Sequence, residues 1–124
     1  LIMVGLYVVS APTLQAQSTK VNDDFTTVPA GPYVSPSTAI TRLEEQNVSL
    51  KNQLEIYNSS SLEYKYALAK YQFFSAILQP LYDGKDTKES LKIGLGYLTT
   101  DAAGTLPKAK KQEFKDEAIS LLTN

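Results

Sequence analysis

"ITRLEEQNVSLKNQLEIY", residues 40–57, decides how the chain folds, because its apolar side chains recur at alternating steps of three and four. The repeat consists of Ile40, Leu43, Leu50, Leu54 and Tyr57, and Asn47 takes the remaining place. This rhythm is the a/d seam of a helix that packs against another helix. A buried Asn in such a seam favours a parallel dimer in one register, since two facing Asn side chains satisfy each other. The seam therefore predicts a short coiled coil between chains or one helix of a bundle within the chain.

Three more helices are predicted after residues 58–61, "NSSS", which place four weak helix formers in a row and so end or bend the first helix. Residues 62–82 are apolar on nearly all sides, which is typical of a central, buried helix. A third helix begins at Asp86 or Thr87, although the alternation of apolar residues over 91–97 also permits a strand. Pro107 suits the first position of the last helix.

We therefore expect an all-α chain in which a short coiled-coil helix precedes a small three-helix unit, with an extended Pro/Ser/Thr-rich tether before both. The predicted segments are a signal peptide or retained anchor (1–16), a flexible tether (17–36), a coiled-coil helix (37–60) and a small helical domain (61–124). Either residues 37–82 form one long, bent helix with a projecting first half, or all four helices close into a bundle. We favour the projecting helix, because the three later helices can already surround the tyrosine-rich one.

The first 16 residues resemble a secretory signal peptide. An apolar run over residues 1–9 leads to small and polar residues with a plausible cleavage site after Ala16. The alternative is the end of a membrane-spanning anchor, which needs about 20 apolar residues. The sequence contains no Cys, and export without disulfides suits a bacterial periplasm or cell surface. We expect an exported protein, with a membrane association only if this segment is retained.

Composition limits the chemistry that the chain can perform. It has a net charge of −1 without a long block of one sign, which argues against a nucleic-acid partner. It has no His and no Cys, so a Ser-His-Asp triad, a thiol nucleophile and a Cys/His zinc site are excluded. Asp83, Asp86 and Glu89 lack the spacing of a calcium loop and are better explained by a turn and a helix cap. We predict no catalytic residue, no metal and no cofactor.

Aromatic side chains are concentrated in the second predicted helix and offer either a core or a binding face. With the seam they form the predicted partner-binding set: Ile40, Leu43, Asn47, Leu50, Leu54, Tyr57, Tyr64, Tyr71 and Phe74. The partner would be a protein, either another copy of the chain in a dimer or trimer, or a complex of the envelope or cell surface. The sequence thus favours a non-enzymatic interaction protein. The alternatives are a membrane-anchored accessory subunit and, less favoured, a small enzyme that uses carboxylates and Tyr.

Overall fold

Four α-helices make up the part of the chain that the structure, a computed structural model, describes: residues 26–100 and 106–124. They are α1 (Pro36–Ile56), α2 (Leu62–Tyr82), α3 (Thr87–Leu95) and α4 (Lys108–Leu122), and a 3-10 turn (Gly96–Thr99) directly follows α3. The predicted all-α class is confirmed, and the strand considered for residues 91–97 is not formed. The predicted signal peptide or anchor lies outside the described residues.

Side-chain caps determine where three of the helices begin. Ser35 caps α1 by accepting a hydrogen bond from the backbone of the first turn, so the helix starts at Pro36, slightly earlier than predicted. Proline is well tolerated there, because the first helical N–H has no partner within the helix. Ser61 caps α2 and Asp86 caps α3 in the same way. These caps each satisfy a backbone donor that would otherwise be unpaired.

The apolar seam of α1 packs against α2 of the same chain. Leu43 and Leu50 are buried in the common core. The side-chain amide of Asn47 donates a hydrogen bond of 3.1 Å to the hydroxyl of Ser75 on α2. Residues 58–61 form a turn, and α1 and α2 run antiparallel, so the predicted projecting helix is wrong. An a/d rhythm shows that a helix packs against another helix, but it does not show whether that helix belongs to the same chain.

The core is centred on α2, as its nearly all-round apolar sequence predicts. Phe73, Phe74 and Ile77 are fully buried there. α3 approaches α2 closely at Gly94, where an added methyl group would overlap the side chain of Ile77. A glycine at position 94 therefore allows α3 to lie against α2. Pro80 lies inside the last turn of α2, and the helix continues to its end at Tyr82.

Part of the predicted tether is held against the C-terminal end of α4 and the residues that follow it. The backbone N–H of Val34 donates to the carbonyl of Leu122 at 2.9 Å, and the N–H of Asn124 donates to the carbonyl of Pro32 at 3.1 Å. The hydroxyl of Thr87 on α3 donates to the carbonyl of Val34 at 2.7 Å. Val34 is itself buried. These contacts form a clasp, so residues 32–34 belong to the folded unit and not to a free spacer.

Candidate functional site

An open cleft of about 480 Å³ runs between α1 and α2. Its walls and floor are formed by Glu44, Asn47, Val48, Lys51, Tyr71, Ser75, Leu78, Gln79 and Tyr82. Val48 is 61% exposed and Tyr82 is 53% exposed, although both side chains are large and apolar over most of their surface. The cleft thus combines an exposed apolar rim with a polar floor, and we call it the α1–α2 cleft.

The floor of the α1–α2 cleft contains a hydrogen-bonded pair that joins the two helices. Asn47 donates to Ser75, and the Ser75 hydroxyl in turn donates to the carbonyl of Tyr71 at 2.8 Å. The side-chain oxygen of Asn47 is buried and has no hydrogen-bond partner among the described residues. A polar pair at one level of an apolar seam fixes the register of the helices, because any shift would place both groups against apolar side chains.

Ser75→Ala is expected to lower the free energy of unfolding by about 0.5–1.5 kcal/mol, because the half-buried side chain of Asn47 would lose the hydrogen bond that its amide donates to Ser75. The double variant Asn47→Leu/Ser75→Ala should recover most of this loss, since replacing both polar partners by apolar groups can be nearly neutral. Urea denaturation of the wild type and both variants measures the difference. Equal losses in the single and double variants would contradict a stabilising role for the pair.

Glu44 and Tyr82 form a second link across the cleft, near its rim. The phenol of Tyr82 donates to a carboxylate oxygen of Glu44 at 2.5 Å. This hydrogen bond raises the pKa of Tyr82 above its ordinary value, and desolvation and the negative charge of Glu44 act in the same direction. Tyr82 therefore stays protonated at neutral pH and acts as a hydrogen-bond donor, not as a base or a nucleophile.

The structure distributes the predicted partner-binding set between core and surface. Three members are buried: Leu43, Leu50 and Phe74. Another three are partly buried against the core: Ile40, Leu54 and Tyr71. Asn47 and Tyr64 are half-buried, and Tyr57 is exposed. A partner could reach the three buried side chains only if the helices around the common core separated. The α1–α2 cleft brings together Asn47 and Tyr71 from this set and adds Val48 and Tyr82.

Val48 was missed because it lies outside the seam. A search for repeating apolar positions selects the residues that face a neighbouring helix, and Val48 falls between them on the polar side of α1. The signal that could have found it is an isolated apolar residue among Glu44, Glu45 and Lys51, on the side of a helix that water would otherwise cover.

The described residues form neither an acidic metal site nor a membrane-spanning helix. Within residues 26–100 and 106–124, no three acidic side chains come close enough to hold a metal ion. Asp86, one of the acidic residues near the α2–α3 turn, accepts a hydrogen bond of 2.7 Å from the backbone N–H of Glu89 and so caps α3. None of the helices described is both long enough and apolar enough to cross a membrane.

Comparisons of the chain with protein-family models, with curated proteins and with solved structures give no match. Neither a family assignment nor a relative's activity is therefore carried over to this protein.

Proposed function

We propose that this chain is a non-enzymatic interaction protein that is exported and holds a protein partner at the cell envelope or surface. The observation that carries the proposal is the exposed apolar rim of the α1–α2 cleft, formed by Val48 and Tyr82. Large apolar side chains that stay in water beside a concave, partly polar surface are typical of protein-binding sites. The seam of α1 supports the proposal indirectly. Its side chains pack against α2 and hold the two helices that carry Val48 and Tyr82 in a fixed arrangement.

The chemistry of the cleft supports binding over turnover. Its carboxylate, Glu44, is engaged by the Tyr82 phenol, whose raised pKa keeps the proton on the oxygen. The chain offers no His or Cys that could act as base, nucleophile or metal ligand beside this pair. Tyr side chains are favoured in interfaces because one end is apolar and the other forms a hydrogen bond.

Export is proposed from the sequence alone. The apolar run, the small residues before Gln17 and the lack of Cys are the supporting observations. The envelope or the cell surface is then the compartment in which the α1–α2 cleft would meet its partner.

A photo-cross-linking amino acid at position 48 of the full chain, expressed in its native cells, tests the proposal. We expect a discrete adduct in the envelope or secreted fraction, with the mature chain starting at Gln17 by intact mass. The matched control carries the same amino acid at Lys92, an exposed residue of α3. Recovery of the chain from the cytoplasm, or equal adducts from both positions, would contradict the proposal.

A further inference from the structure

The turn between α1 and α2 holds an asparagine whose side chain is placed to react with its own backbone. Asn58 and Ser59 are both exposed and lie between the two helices. The side-chain carbonyl of Asn58 accepts hydrogen bonds from the backbone N–H of Ser60 at 2.9 Å and from the Ser60 hydroxyl at 2.7 Å. We propose that Asn58 is a site of spontaneous deamidation, in which water converts its side-chain amide into a carboxylate. This modification does not depend on the proposed function, because it needs no partner.

The reaction takes place within the chain and needs water as its only co-reactant. The backbone nitrogen of Ser59 loses its proton and attacks the side-chain carbonyl carbon of Asn58, so that a new C–N bond closes a ring. The bond to the side-chain nitrogen then breaks, and that nitrogen leaves as ammonia with a proton taken from the solvent. Water opens the resulting succinimide at either of its carbonyls. The product at position 58 is therefore aspartate or, where the chain runs through the former side chain, isoaspartate.

Ser60 activates the carbonyl that is attacked. Negative charge develops on the side-chain oxygen of Asn58 as the ring closes, and donors already aimed at such an oxygen stabilise that charge. The N–H and the hydroxyl of Ser60 both donate to this oxygen in the folded chain. The bond from the N–H also forms an Asx turn, which folds the side-chain carbonyl over the backbone that follows it. The turn thereby keeps the carbonyl carbon of Asn58 close to the nitrogen of Ser59.

The attacking nitrogen of Ser59 is accessible. Its N–H forms no hydrogen bond within the described residues, so no bond has to break before the proton leaves. The side chain of Ser59 is small and unbranched at Cβ, so it leaves space beside the nitrogen. The residue is also exposed, which gives water and hydroxide free approach. The nucleophile and the electrophile of the reaction are thus both available in the folded state.

Two asparagines of α1 lack these conditions and serve as an internal comparison. Asn47 and Asn52 lie inside the helix, where the N–H of the next residue is part of the hydrogen-bond ladder. Asn47 is also half-buried, its amide donates to Ser75, and the branched Val48 follows it. Reaction at either residue requires the helix to open locally. We therefore expect Asn58 to react at least about tenfold faster than Asn47 or Asn52.

Deamidation changes both the charge and the length of the turn. A carboxylate at position 58 adds a negative charge between Glu55 and Glu63, which are exposed. Isoaspartate also adds a methylene to the main chain, so the connection between α1 and α2 becomes longer. Ile56 and Leu62, which flank the turn and are 79% and 57% exposed, would then border a charged and lengthened loop. The modified fraction increases with the age of the chain, so the surface at this end of the helices changes over the lifetime of the protein.

Peptide mapping of the purified full chain by mass spectrometry, after incubation at mildly alkaline pH, tests the proposal. We expect aspartate and isoaspartate to accumulate at position 58, with Asn47 and Asn52 as internal controls. Ser60→Ala should slow the reaction about threefold to tenfold, which is the factor that one exposed hydrogen bond contributes. Ser49→Ala is the matched control, because Ser49 follows Asn47 as Ser60 follows Asn58 and is exposed on α1. It should leave the rate at Asn58 unchanged.

Ser59→Val provides a second test, since a branched side chain crowds the attacking nitrogen and should also slow the reaction. Circular dichroism of each variant verifies that the helices are retained. Equal rates at Asn58 and at the two asparagines of α1 would overturn the proposal, and so would a wild-type rate at Asn58 in either Ser60→Ala or Ser59→Val. A rate at Asn58 that exceeds the other two and falls in both variants supports it.

Discussion

Leu43→Ala is expected to lower the free energy of unfolding by about 2–5 kcal/mol. Leu43 is 0% exposed and belongs to the common core of the helices. The substitution removes buried apolar atoms and leaves a cavity that the neighbouring side chains fill only in part. Urea denaturation measures the loss. Ile56→Ala is the matched control in the same helix, because Ile56 is 79% exposed and its truncation should change stability by no more than about 0.5 kcal/mol.

The dependence of the denaturation midpoints on protein concentration distinguishes packing of the seam within one chain from packing between two chains. If Leu43 packs within its own chain, the denaturation midpoints of wild type and variant do not change with protein concentration at dilutions where the chain is monomeric. If it packed between chains, dilution would lower the wild-type midpoint by mass action. A loss for Leu43→Ala as small as that for Ile56→Ala would contradict its burial.

Gly94→Ala is expected to lower the free energy of unfolding by about 1–3 kcal/mol, although alanine is the better helix former by about 1 kcal/mol. The added methyl would overlap the Ile77 side chain and lie 3.0 Å from the backbone nitrogen and 3.1 Å from the Cα of Ile77. A change of rotamer cannot relieve a contact with the backbone of another helix. α3 would have to move away from α2, which would loosen the packing around Ile77.

Gly96→Ala is the control for this prediction, two residues further along the chain. An added methyl at Gly96 meets nothing within 4 Å, and its φ of −57° suits any residue. The substitution should leave stability unchanged or raise it by about 0.4–1 kcal/mol, since it restricts the unfolded chain. Thermal unfolding followed by circular dichroism compares the two variants. Similar shifts in melting temperature would mean that α3 does not approach α2 so closely at Gly94.

The existence of the four helices could be predicted because their signals are local. The apolar period, the weak helix formers at residues 58–61 and the Asp86 cap all act within a few residues of the element they define. The helix starts differ from the prediction by only one or two residues for the same reason.

The arrangement of the helices could not be predicted in the same way. The seam of α1 has the same rhythm whether its neighbour is α2 or another chain, and the choice depends on Ser75, which lies 28 positions from Asn47 in the sequence. The docking of Val34 depends on the side-chain hydroxyl of Thr87 and the backbone carbonyl of Leu122, and pairing over such separations leaves no local pattern. Val48 could not be predicted as a residue of the cleft because it is a single apolar residue on the polar side of α1 and belongs to no apolar repeat.

The clasp between residues 32–34 and the C-terminal end of α4 has a practical consequence for labelling the protein. It joins the segment before α1 to the end of α4 by hydrogen bonds. Fraying of either segment therefore removes hydrogen bonds from the other. The backbone amides of both segments should lose protection from hydrogen exchange together. A fluorophore attached at residue 124 would lie next to the hydrogen bond that the Asn124 N–H donates to Pro32. Ser59, which is exposed in the turn between α1 and α2, lies in another part of the fold and is the better attachment point.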